Sequence, residues 1–175
     1  MVTEYVGHDR ALDELNMPLL LDDGQLVSEA IAFSKIGEIA VLDPQKLGIL
    51  YRGGISEKAN AVLIGQAERE GATIMEAADG CDLRYPVKER HTSLVPDYAS
   101  EIAPIIHDKC ASCHREDGIG PFAMDSHLML QGWSPMIKEV LLTKRMPPAQ
   151  VDPSIGHFTN ARYISDLDMQ KLVHW

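Results

Sequence analysis

At 175 residues, 45% of them apolar, the chain can bury one medium core or two small ones. Its 26 acidic and 16 basic residues leave a formal charge of −10, which argues against a reader of phosphate backbones and for basic or small neutral partners. Three cysteines cannot all pair, so a disulfide framework is excluded unless one thiol does something else, and Met17-Pro-Leu-Leu-Leu21 is far too short an apolar stretch to cross a bilayer.

In chain order, residues 8–15 are expected to end a helix, with Leu12 and Leu15 on one face, and to feed a short strand over 17–21. Asp22-Asp23-Gly24 predicts a turn into an amphipathic helix that offers Leu26, Val27, Ala30, Ile31 and Phe33 to a core. Residues 39–42 and 48–51 are β-rich runs on either side of Asp43-Pro44-Gln45-Lys46-Leu47, and this pattern predicts an antiparallel hairpin. A helix over 57–70 follows, ended by Gly71. Residues 71–97 sustain no period and contain Gly80-Cys81, Tyr85-Pro86 and Val95-Pro96, so they read as a linker.

The remainder, 98–175, is expected to be helix and loop. A helix begins at Asp97 or Ser100 and runs into Cys110, with Ile102, Ile105 and Ile106 as its buried stripe. A second helix covers about 134–144 and is stopped at Met146-Pro147-Pro148. Ser165-Asp-Leu-Asp168 caps a last helix through Trp175. No secretory segment opens the chain and it stops inside a predicted helix, so it reads as a piece of a longer one.

The chemistry is concentrated in Cys110-Ala-Ser-Cys113-His114. Two thiols three positions apart reach both vinyl groups of a haem, while the next residue's imidazole reaches the iron. A redox dithiol and half of a zinc site are the alternatives. This motif, however, closes a helix instead of opening one after a strand, and no second Cys-x-x-Cys or His-x-x-x-His completes a zinc tetrahedron.

With His114 as the proximal iron ligand, the distal one is sought among Met146, Met124, Met129, Met136, His127 and His157. Met146 leads, because the prolines after it fix its backbone, so that its thioether projects from a rigid loop. Phe122, Trp133 and Phe158 are expected to line the haem. Lys144 and Arg145 could pair with a propionate or form a solvated pair at a helix end. Cys81 is read as a structural cysteine.

Helix, Cys-x-x-Cys-His, loop, helix, Met-Pro-Pro, helix is an order that resembles a small class I cytochrome c. Ile119-Gly-Pro-Phe122, Lys144-Arg-Met-Pro-Pro148 and Asp152-Pro-x-x-Gly156-His-Phe158 resemble more narrowly the cytochrome domain appended to redoxin domains in certain bacterial periplasmic or surface proteins. An aromatic residue often follows Met-Pro-Pro in that family, and Ala149 stands there in this chain. Ile39-Ala-Val-Leu-Asp-Pro44 with Ile49-Leu-Tyr-Arg-Gly53 resembles the closing hairpin of thioredoxin-like redoxins, over roughly the first 70 residues. The strand and helix that would carry a redoxin Cys-x-x-Cys are missing, and Gly37 stands where thioredoxins place a cis-proline.

The expected fold is therefore α+β: a partial thioredoxin-like unit over 1–70, a linker over 71–97 and an all-α monohaem cytochrome c domain over 98–175. The expected function is electron transfer by one covalent haem c with His114/Met146 ligation, an electron carrier more than an enzyme. A redoxin-type thiol–disulfide oxidoreductase and a haem-free metal-binding or interaction module are the alternatives. The expected partner is a redox protein with a basic docking surface, and the resemblance implies a periplasmic or other extracytoplasmic location.

Overall fold

The computed structural model describes residues 22–46, 48–66, 72–148 and 158–175. The elements expected over 8–15 and 17–21 lie outside them, as does His157. The described residues combine helices with one small sheet, an α+β arrangement. They divide into two units, one of Ser28–Tyr85 and the other of residues 22–27 and 86–175.

Helix α1 (Leu26–Ile31) is shorter than its apolar pattern suggested, because Ala32 turns into the left-handed region (φ +58°) and breaks the ladder. In the first unit β1 (Ile39–Leu42) pairs antiparallel with β2 (Ile49–Gly53), Val41 opposite Tyr51, with a bulge between Val41 and Leu42. Helix α2 (Glu57–Leu63) starts at Ser56, whose hydroxyl accepts from the Ala59 amide at 3.1 Å. A third strand, β3 (Ile74–Met75), runs parallel to β2, giving the order β1-β2-β3. The core of this unit is Tyr51, Ala59 and Val62. The Tyr51 phenol is fully buried, and its hydroxyl donates to the Gly54 carbonyl at 2.6 Å.

The stretch 71–97 is not simply a linker. It carries β3 and helix α3 (Pro86–Ser93), and the division between units falls inside it, at Tyr85/Pro86. Both elements draw their stability from partners distant in sequence, so no local period announces them.

In the second unit α3 is followed by a π-helical segment (Tyr98–Ile102) and helix α4 (Ala103–Lys109). Asp97 caps this run, its carboxylate accepting from the Ser100 amide at 2.8 Å. The π register falls just before Pro104, which withholds an N–H from the first turn of α4. Ile102, Ile105 and Ile106 are buried as expected, together with Leu130, Leu141, Ile164, Met169, Leu172 and Val173. Each such side chain contributes about 1.5–3 kcal/mol by leaving water.

Helix α5 (His127–Leu142) begins two turns before the expected start at residue 134. Gly132 thus falls within the helix, and Pro135, which the expected start placed in the first turn, is interior to it. The Gln131 carbonyl, which loses its partner at Pro135, is taken by the Ser134 hydroxyl at 2.9 Å. The helix stops before the prolines, at Lys144 (φ +56°). There the Arg145 amide donates to Val140 at 2.9 Å and the Lys144 amide to Leu141 at 3.0 Å, a Schellman closure built on lysine in place of glycine. Helix α6 (Asp166–His174) has Ser165 as its cap, accepting from the Asp168 amide at 3.1 Å.

Helices α3 and α6 meet through two histidines. Nδ1 of His91 lies 2.9 Å from Nδ1 of His174, near the Glu101–Lys171 ion pair. Burial, followed by the neighbouring His174, lowers the pKa of His91. The unfolded chain therefore takes up a proton there more readily than the folded one. This contribution is complete above the ordinary histidine pKa of about 6.5 and fades as pH falls below it. The urea midpoint is expected to drop between pH 7.5 and 5.5 and to flatten in His91→Leu. An equal drop in that variant would assign the effect elsewhere.

Candidate functional site

Cys110 is the C-cap of α4, so the helix delivers the motif directly. The Cys110 amide still donates to Ile106 at 2.9 Å, and the Cys113 and His114 amides donate back to the Cys110 carbonyl at 3.1 and 3.0 Å. This turn keeps the two cysteines and the histidine together. The chain then folds over the histidine, with the Gly120 amide on the Cys113 carbonyl at 2.8 Å and the Met124 amide on the His114 carbonyl at 2.9 Å.

His114 Nδ1 is 3.1 Å from the Phe122 carbonyl oxygen. A carbonyl only accepts, so Nδ1 is the donor, and Nε2 is the ring nitrogen left for another partner. The Phe122 ring lies against the imidazole, centroids 5.2 Å apart, and stacks on Trp133 at 4.9 Å and 15°.

One cavity gathers these groups. Cys110, Cys113, His114, Phe122 and Met146 all line it, with Gly120, Met124, Met136, Ile137, Val140 and Leu141 among the other wall residues. At about 240 Å³ it is small for a cofactor site. Its three methionines, however, are unbranched thioethers that repack readily. Met146 is 38% exposed, while Pro147 behind it is buried. Burial pushes the Cys110 thiol up to about 11, so it stays protonated at neutral pH, the opposite of what a nucleophilic dithiol needs. Among the described residues no group of three or more His, Cys, Asp and Glu side chains is placed to hold a metal ion by itself.

Several expected residues fall elsewhere. Trp133, which the early start places within α5, does not line the cavity and stacks instead on Phe122, which does. Phe158 is 59% exposed and also lies off the cavity wall. Met129 lines a separate shallow pocket with Trp133, and His127 packs on Tyr98 and Trp175. Arg145 is paired with Glu139, and neither it nor Lys144 lines the cavity. The cations on its wall are Lys109 and Arg162, the first readable from its place beside Cys110, the second without any local signal. Cys81 is exposed.

No family model matches this chain, and neither does any curated protein or solved structure.

The side chains at the cavity suit a covalently held haem: two thiols, an imidazole whose Nδ1 is already held by a carbonyl, and a thioether from another element. The backbone adds a close fit. A Cβ built on Gly120 would lie 2.7 Å from His114 Nδ1 and 2.9 Å from the Cys113 carbonyl oxygen. Gly120→Ala is therefore expected to push the imidazole off the Phe122 carbonyl and to cost about 1–3 kcal/mol. Thermal melts check the cost, and haem staining of the same protein reports whether the histidine remains usable. A variant as stable and as well loaded as the parent would show that the loop yields without consequence.

Proposed function

We propose that the chain is an electron carrier holding one c-type haem through Cys110, Cys113 and His114, with Met146 as the second axial ligand. The observation that carries this is the meeting of the attachment motif and the Met146 loop, from separate elements, on one cavity. Bound there, a haem supplies a one-electron ferrous/ferric couple. Cys110 and Cys113 would anchor the haem, while His114 would offer its Nε2 and Met146 its thioether to the iron. Met124, Met136, Ile137, Val140 and Leu141 give the site an apolar wall.

Residues 98–175 are read on this basis as a small class I cytochrome c domain, and the β1–β2 hairpin with α2 as the closing part of a redoxin-like unit. The charge of −10 supports a partner with a basic docking face, and covalent haem attachment supports an extracytoplasmic location. No described helix is long and apolar enough to cross a membrane. The test is a pyridine haemochrome spectrum of protein made alongside a cytochrome c maturation system. A c-type spectrum with one haem per chain is expected; its absence under those conditions refutes the reading.

A further inference from the structure

Trp133 is the large aromatic of α5, yet it is 37% exposed and contributes nothing to the buried core. What it does touch is Phe122, ring on ring. Phe122 in turn meets His114 twice, through its ring and through the carbonyl that accepts from Nδ1. On the neighbouring stretch of the same loop Gly120 lies against the imidazole with no side chain between. The loop thus closes around the histidine, and the stack on Trp133 ties it to a helix that Leu130 and Leu141 lock into the core.

We infer that Trp133 is a positioning residue for His114: through Phe122 it holds the imidazole as the Nδ1–H tautomer, leaving the Nε2 lone pair for a metal. The inference deepens the haem reading and rests on it only for the identity of that metal. A hydrogen bond on the far nitrogen fixes a ligand imidazole's orientation and raises its basicity. Here the Gly120 and Met124 amides pin the loop to Cys113 and His114 on either side of this carbonyl, and the Phe122 ring between them takes its anchor from outside the loop. Trp133 supplies the anchor.

The experiment is long-range ¹⁵N–¹H NMR of the His114 ring in the full chain, prepared without haem and with it. The parent is expected to show the Nδ1–H form, and Trp133→Leu to move the tautomer ratio about fivefold toward Nε2–H. Trp133→Phe, which restores a ring, should stay close to the parent. Phe122→Leu keeps the carbonyl but not the stack, and should match Trp133→Leu. In the haem-loaded chain Trp133→Leu should speed exchange of the Nδ1 proton by a similar factor and raise the reduction potential, since a less basic imidazole stabilises ferric iron less. Met129→Ala, on the same exposed stretch of α5, should change neither.

An unmoved tautomer ratio in Trp133→Leu overturns the inference. So does an equal rise in amide exchange at Leu130 and Leu141, which would make Trp133 a general stabiliser of the unit. A tautomer shift in a chain that takes up no haem refutes the haem reading and keeps this one; haem uptake with an unmoved tautomer does the reverse.

Discussion

Replacing both Cys110 and Cys113 with alanine is expected to abolish haem staining after denaturing electrophoresis, while the parent stains at full intensity. Coordination bonds do not survive unfolding, whereas thioether bonds do, so the stain reports covalent attachment alone. Both cysteines line the cavity and the turn between them is held by backbone hydrogen bonds that alanine keeps. The fold of the double variant is therefore expected to persist, which far-UV circular dichroism checks. Either single variant should retain weaker staining through its remaining thioether. Staining that survives the double substitution would remove the attachment model.

The second large effect is expected at Met146. Met146→Ala should leave the haem attached, because the three residues of the attachment motif are untouched. It should open one coordination position and lower the reduction potential by roughly 0.1–0.3 V, within the span of about 0.8 V over which axial ligands tune haem. The weak red-end band of methionine-to-ferric charge transfer should vanish with it. Met146 is partly exposed, so the stability loss should be small compared with that of a core residue. Met124 and Met136 line the same cavity and provide the comparison. If Met124→Ala loses the band and Met146→Ala keeps it, the ligand comes from the loop after the attachment motif.

The sequence by itself determined what depends on neighbours within a turn or two. The Cys110–His114 spacing, the Ile102, Ile105 and Ile106 stripe, the caps at Asp97 and Ser165 and the hairpin around Asp43-Pro44 are all local patterns, and the structure places each of these elements as expected. Tertiary structure decided the rest. Strand β3 exists because β2 offers it a parallel partner, and two residues carry no period of their own. Helix α5 runs through Gly132 and Pro135 because the Ser134 hydroxyl and a buried Leu130–Leu141 face outweigh two poor helix formers. Trp133 falls within that helix and stacks on Phe122 instead of lining the cavity. Gly120 and Arg162 became visible only once the chain folded over His114, since a close approach or a cavity wall is a property of distant segments brought together.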